Sequence, residues 1–187
     1  MTIRELVEKS EKHARELREK AEIGPYEPFR PRERTEELEI VIAYPDDIEK
    51  LSEGYRRKLQ EMDASTWSGG ARPLPNGYLL IILNPNQTEA RKNVTVLEEV
   101  AHDHFDHEPT QLSGETDREY DETVEDEAYW TAAAALLPRR EVRRAVWQGQ
   151  KASELARQFG ASEELAKMRI KTLELWDQYQ SNLEDEP

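Results

Sequence analysis

Cysteine is absent from the 187 residues of the chain. Its absence excludes disulfides, thiolate metal ligands and a cysteine nucleophile, so a metal ion would have to be held by histidine and carboxylate side chains. Histidine is scarce as well, with four residues, whereas aspartate and glutamate together number 40. Any metal site is therefore expected to combine a few histidines with carboxylates.

Long hydrophobic runs and positive charge are also lacking. The longest apolar runs, Tyr78 to Leu83 and Ala132 to Leu137, are too short to cross a bilayer, and the N-terminus has no apolar signal-peptide core. We therefore expect a cytoplasmic protein. The net charge of −14 disfavours direct contact with nucleic acid or an anionic membrane, and it better suits metal ions and neutral or basic protein partners.

What is present suffices for one compact unit. The chain is 36% hydrophobic and has four tryptophans, which argues against disorder. Apolar spacing and capping residues predict a mixture of helices and strands. The predicted elements are a helix capped by Thr2 and ending near residue 22, a strand from Glu39 to Tyr44, a helix from Asp46 or Asp47 to Met62 with its apolar side facing a core, a strand from Tyr78 to Leu83, a long helix capped by Thr88, a helix over residues 122–137, and further helices after Arg139 that break at Gly160 and Ser162. Residues 68–77 are expected to form a turn, and residues 111–121 a polar loop.

The segment Glu98-Glu99-Val100-Ala101-His102 carries the clearest chemical pattern. Residues four apart on a helix lie about 40° apart around its axis, so Glu98 and His102 can both reach one metal ion. Glu99 lies about 100° round from Glu98, where it can contact a water on that ion without ligating it. This is the position of a general base.

A catalytic zinc ion usually takes three protein ligands and one water, so a third ligand is needed. The next long helix offers Glu127, and its small alanine side chains would let it pack closely on its neighbour. The alternative is an ordinary solvated helix face, because a chain with 40 acidic residues contains Glu/His pairs at this spacing by chance. We interpret His104 and His107 as surface residues near the helix end.

The wider pattern runs from about residue 66 to 138. It contains a Gly-rich turn and a strand ending in Asn (N-G-Y-L-L-I-I-L-N), a helix bearing x-E-x-x-H, and a later segment E-A-x-x-x-A-A-x-x-L-x-P. In order and spacing this resembles the ImmA/IrrE family of metallo-endopeptidases, whose helix carries H-E-x-x-H and whose later glutamate is the third zinc ligand. The resemblance implies that Glu98 replaces the first histidine ligand, that Glu99 is the general base, and that His102 and Glu127 are the other ligands of one divalent ion. Zinc is expected, with manganese as the alternative for so oxygen-rich a set.

The resemblance also implies an α+β fold. Residues 1–138 would form a mostly helical, zincin-like peptidase core with a small sheet, and residues 139–187 a helical, helix-turn-helix-like region packed on it. The strand from Tyr78 to Leu83 would be the sheet edge that pairs with an extended peptide. Because several family members cleave a helix-turn-helix repressor, the expected partner is a repressor or antitoxin-like protein, with neither nucleic acid nor membrane contacted directly.

The glutamate at position 98 leaves two functions open. A carboxylate in place of a neutral imidazole lowers by one unit the formal charge of the ion and its protein ligands, so the ion would polarise its water less. One function is a metallo-endopeptidase that cleaves a regulatory protein with reduced activity. The alternative is a catalytically degenerate relative, a binding module that holds such a partner without cutting it.

Overall fold

The computed structural model describes residues 2–62, 66–107 and 122–184. Helices form most of this part of the chain, and three strands form a small sheet, which confirms the α+β class. The helices are α1 (Ile3–Lys20), α2 (Thr35–Leu38), α3 (Glu53–Glu61), α4 (Glu89–His104), α5 (Glu122–Leu136), α6 (Arg139–Trp147), α7 (Ala152–Phe159), α8 (Glu163–Thr172) and α9 (Trp176–Glu184). The strands are β1 (Ile40–Ala43), β2 (Gly69–Pro73) and β3 (Leu79–Leu83).

The sheet has the strand order β1-β3-β2. β1 runs parallel to β3, with Ile40 opposite Leu79, and β2 runs antiparallel to it, with Ala71 opposite Ile81. The expectation that the strand from Tyr78 to Leu83 forms the sheet edge is therefore wrong. β3 is apolar at every position and buried at nearly all of them, the pattern of a central strand covered on both faces. Among the described residues, β1 and β2 are the edges.

The strand β2 replaces a predicted turn. Gly69 begins it, and a Cβ atom at that position would lie 2.7 Å from Thr95 Cγ2 and 2.9 Å from the Ile82 carbonyl oxygen. The missing side chain thus lets α4 pack directly against the sheet. The turn itself is shorter than expected: the Gly77 N–H donates to the Leu74 carbonyl at 3.0 Å, and Gly77 has a φ of +86°.

The helix predicted from Asp46 or Asp47 begins later. Asp47 closes a local turn by accepting a hydrogen bond from the Tyr44 N–H at 2.7 Å, and α3 starts at Glu53, capped by Ser52. No residue of α3 is buried, and Tyr55 is 54% exposed. The apolar side of this helix therefore does not face the core, contrary to the prediction.

Other helix ends lie where their capping residues predict them. Thr2 and Glu5 form a capping box at the start of α1, and Thr88 accepts a hydrogen bond from the Arg91 N–H at 3.2 Å at the start of α4. Gly160, with a φ of +66°, ends α7, and Ser162 caps α8. These predictions are confirmed because they depend only on neighbouring residues.

One continuous apolar core extends from α1 to α9. Arg169 of α8 is 1% exposed, pairs with Glu11 of α1 and donates to the Leu137 carbonyl at 3.1 Å. This side chain joins the C-terminal helices to α1 and to the end of α5. The division of the chain at residue 138 stays a prediction.

Within the described ranges, the helices are too short or too polar to span a bilayer. The polar loop predicted over residues 111–121 lies outside the described residues.

Candidate active site

The C-terminal half of α4 carries the predicted motif between the sheet and α5. Val96, Leu97 and Ala101 are fully buried on this helix. Glu99 and His102, each 8% exposed, are carried into the interior alongside them. These two side chains therefore lie in a protected environment and not on a solvated helix face.

Glu98 forms an ion pair with Arg91 of the same helix. Arg91 is seven residues earlier, which is about 20° round the axis and two turns back, and its Nη2 lies 3.3 Å from Glu98 Oε2. The same guanidinium donates to Ser68 Oγ at 3.1 Å. Burial raises the pKa of Glu98, while Arg91 opposes this shift and Glu125 adds to it. Burial also raises the pKa of Tyr129, and the negative charge of Glu98 raises it further.

Glu99 has the properties of a carboxylate that exchanges protons near neutral pH. Burial, followed by the negative charges of Glu98 and Glu125, raises the pKa of Glu99 to about 7. A carboxylate normally titrates near 4.5. In this environment Glu99 can accept a proton at neutral pH and can also release it.

His102 is held from both sides of its ring. Its Nε2 lies 3.4 Å from Glu125 Oε2, and its Nδ1 lies 3.1 Å from His107 Nδ1. The first contact joins α4 to α5, and the second joins the helix to the segment that follows it. We refer to Glu98, Glu99, His102 and Glu125 as the α4–α5 site.

Glu127 lies elsewhere on α5. Two residues along a helix correspond to about 200° of rotation, so Glu125 and Glu127 lie on opposite sides of α5. Glu127 pairs with Lys9 of α1 and is 8% exposed. The structure thus places Glu98, Glu99 and His102 on one helix and Glu125 beside His102. The role of Glu127 as third ligand stays a prediction.

Residues 53–171, more than half of the chain, match the family model of peptidase M78, the IrrE N-terminal-like domain. The protein belongs to this family. The resemblance to ImmA/IrrE proteins is thereby confirmed, and M78 membership implies a zincin-like core, a metallopeptidase class of function, a divalent metal that is usually zinc, and a protein substrate. No curated protein matches the sequence.

The donor set of the α4–α5 site fits the divalent ion of the M78 family. It offers an imidazole and three carboxylates, and burial is the main cause of the raised pKa values of Glu98 and Glu99, with neighbouring carboxylates adding to it. A bound cation would stabilise the ionised forms of these groups. Carboxylate and imidazole ligands suit zinc, and the high share of oxygen also suits manganese.

Sequence reasoning missed two members of this arrangement. Arg91 could have been found, because its spacing of seven from Glu98 places both on one face of α4. Glu125 could not have been preferred to Glu127, because the sequence does not give the rotation of α5 about its axis.

Sequence reasoning also missed a grouping of the chain's four histidines around Phe105, at the end of α4. His13, His104 and His107 have ring centroids 4.7 to 5.3 Å from that of Phe105, and His102 contacts His107.

Proposed function

We propose that the protein is a metal-dependent endopeptidase of the M78 type that cleaves a regulatory protein. The observation that carries this proposal is the motif on α4, in which Glu99 and His102 are buried and Glu98 is partly buried, with Glu125 3.4 Å from the imidazole. Glu98 and His102 would hold the ion together with a carboxylate of α5. Glu127 is the third ligand that the family pattern implies, and Glu125 is the carboxylate that lies closer to His102.

A divalent ion bound there supplies Lewis-acid polarisation of the scissile carbonyl and lowers the pKa of water. Glu99 would accept a proton from the attacking water as the new C–O bond forms, and would return it to the amine nitrogen as the C–N bond of the peptide then breaks. The burial of Glu99 beside the proposed ligands Glu98 and His102 supports this role.

The substrate would bind as an extended strand at the edge of the sheet. β2 is an edge among the described residues, and it begins beside Ser68, which accepts the hydrogen bond from Arg91, the partner of Glu98. A peptide added to β2 would therefore pass close to the α4–α5 site. A basic partner such as a DNA-binding repressor or an antitoxin-like protein would complement the charge of −14. The α7–α8 pair would help to recognise this partner.

Metal content and peptide cleavage, measured on the same untagged protein, test the proposal. We expect one equivalent of zinc or manganese to be lost in His102→Ala and retained in Glu19→Gln, an exposed control on α1. Comparing Glu125→Gln with Glu127→Gln identifies the third ligand as the variant that loses metal. Cleavage of a mixed peptide library, followed by mass spectrometry of new termini, should depend on Glu99. Failure of the wild type to retain metal after incubation with excess zinc and manganese, together with no cleavage, would reject the proposal.

The second candidate function is a binding module that no longer cleaves. The contact between Arg91 and Glu98 favours it. Glu98 stands where the family motif has a neutral histidine, and the guanidinium of Arg91 already balances the negative charge of this glutamate without a metal ion. In that case Arg91→Ala should create or strengthen metal binding by releasing Glu98. If Arg91→Ala leaves metal affinity unchanged in a protein that already binds zinc, the guanidinium does not replace the ion.

A further inference from the structure

Three ligand atoms converge between α1 and the last residue of α4. His13 Nδ1 lies 2.8 Å from Glu16 Oε2, His104 Nε2 lies 3.3 Å from the same oxygen, and the two nitrogens are 3.3 Å apart. His13 and Glu16 are one turn apart on α1, whereas His104 lies 88 residues after Glu16 in the sequence. We refer to these three residues as the α1–α4 cluster.

The spacing of these atoms is that of zinc ligands. Ligands at 2.0–2.1 Å from a tetrahedral ion are separated from one another by about 3.3–3.4 Å. The distance between the two nitrogens and the distance from His104 Nε2 to Glu16 Oε2 match this ligand–ligand separation. The distance from His13 Nδ1 to Glu16 Oε2 is shorter, at 2.8 Å, and would need a movement of about 0.5 Å by the Glu16 carboxylate. All three atoms lie within 4.8 Å of one another in the part of the chain that the structure describes.

The surroundings of the cluster also suit a metal ion. Phe105 meets the rings of His13 and His104 edge-on, at centroid distances of 4.7 and 5.3 Å, and so restricts their rotation. Lys12 lies 3.7 Å from Oε1 of Glu16, which leaves Oε2 directed at the two imidazoles. About a third of the His104 side chain is exposed, so a water could complete a tetrahedral set.

The cluster is separate from the α4–α5 site. His104 follows His102 by two residues, which places it about 200° round the axis of α4. The two groups share no residue, and their carboxylates come from α1 in one case and from α4 and α5 in the other.

We propose that His13, Glu16 and His104 form a second divalent-metal site, selective for zinc, which joins the N-terminal helix to the helix that carries the candidate active site. Two imidazoles and one carboxylate are a zinc-type ligand set, less rich in oxygen than the α4–α5 site. Zinc bound there ties the end of α4 to α1, and α1 in turn pairs with α5 through Lys9 and Glu127. The site thus reinforces the packing of α1 and α5 against α4, the helix that carries the peptidase motif.

Zinc and cobalt binding by the full chain test this proposal. The variants are His104→Ala, His13→Ala, Glu16→Gln, His102→Ala and the double variant His102→Ala/His104→Ala, with Glu19→Gln as the matched control on α1. We expect two equivalents of zinc in wild type and control, one in each single variant, and none in the double variant. Cobalt should give the intense visible absorption of a tetrahedral complex in His102→Ala, where the α1–α4 cluster alone remains. Zinc should also raise the melting temperature of His102→Ala by several degrees.

The pattern of loss separates this proposal from the proposed peptidase function. If wild type and His104→Ala both bind one equivalent while His102→Ala binds none, the second site is overturned and the peptidase site remains. If His102→Ala binds as much as wild type while His104→Ala binds none, the second site stands and the α4–α5 metal site falls. His104→Gln serves as a second variant, which keeps a polar side chain, and circular dichroism checks that each protein is folded. Retention of cobalt by a folded His104→Gln in the His102→Ala background would overturn the second site.

Discussion

The α4–α5 site and the α1–α4 cluster are both built from histidine and glutamate and both take residues from α4, yet their glutamates lie in opposite environments. In the α4–α5 site, burial and two neighbouring carboxylates raise the pKa of Glu99 to about 7. In the α1–α4 cluster the side chain of Glu16 is 38% exposed, and although burial opposes ionisation, hydrogen bonds from His13 and His104 hold its pKa below the usual value.

This difference shows how position changes the chemistry of one side chain. A carboxylate crowded by others in a buried site tends to keep a proton and can act as a base. A carboxylate between two imidazoles near solvent stays ionised and is suited to binding a metal ion. Under the two proposals, the first group would serve catalysis and the second would bind a structural metal ion.

Removing the proposed base has the largest expected effect. Glu99→Gln should lower peptidase activity roughly 10²–10⁴-fold, because the amide cannot take the proton of the attacking water. It should retain metal, since Glu99 is not a proposed ligand. Cleavage rates on the peptide library and metal content of the same sample measure both. If Glu99→Gln were as active as the Glu19→Gln control, Glu99 would not be the general base, and the α4–α5 site would not differ from the α1–α4 cluster in having a catalytic carboxylate.

The stability of the metal-free protein should depend on pH through Glu99. Because the folded-state pKa is raised from 4.5 to about 7, the protonated form is favoured on folding. The corresponding stability is fully present below about pH 4.5 and is lost as the pH rises through 7, a change on the order of 3 kcal/mol. Urea unfolding of wild type and Glu99→Gln in chelator, at several pH values, should show their difference shrinking towards acid. Curves that stay parallel would contradict the raised pKa.

Glu98→His should bring the α4–α5 site closer in composition to the α1–α4 cluster. The imidazole replaces one of the crowded carboxylates, so we expect zinc affinity at this site to rise about tenfold. The pKa of Glu99 should fall, since the charge of Glu98 contributes to its present value. Competition titrations with a chelating dye in the His104→Ala background measure the affinity of this site alone. Weaker zinc binding in Glu98→His would mean that the oxygen-rich set is the preferred one.

The smallest effect concerns Lys9, which pairs with Glu127 and lies over the ring of Phe105. Its ion pair with Glu127 has one exposed partner and one buried partner, so Lys9→Met should cost about 1 kcal/mol of stability. A double-mutant cycle with Glu127→Gln isolates the coupling. If zinc abolishes this coupling, Glu127 has left Lys9 for the metal. If the coupling persists in the zinc-bound protein, Glu125 is the better candidate for third ligand.

Predictions from local sequence agree closely with the structure where short-range contacts decide. The caps at Thr2, Thr88 and Ser162 lie where they were expected, because each needs only a side chain and an N–H three residues away. The strands over residues 40–43 and 79–83 follow from their apolar, β-branched composition.

Predictions failed where distant residues decide. Gly69 was expected in a turn, but the close approach of Thr95 from α4 requires a glycine in a strand there. The strand with the strongest pattern was assigned to the sheet edge, although a strand apolar on both faces belongs in the centre. The apolar side of α3 indicated a core contact that the structure does not make.

The sequence by itself determined that Glu98, Glu99 and His102 share one helix, because their spacing and the Thr88 cap are local properties. It also determined the chain's membership of its family, through the order of strand, motif helix and alanine-rich helix. Only the tertiary structure decided that Glu125 meets His102 while Glu127 meets Lys9, and that His13 and Glu16 meet His104. These contacts depend on how α1 and α5 are rotated about their own axes when they pack. That rotation is set by the whole apolar core and not by the residues that the contacts bring together.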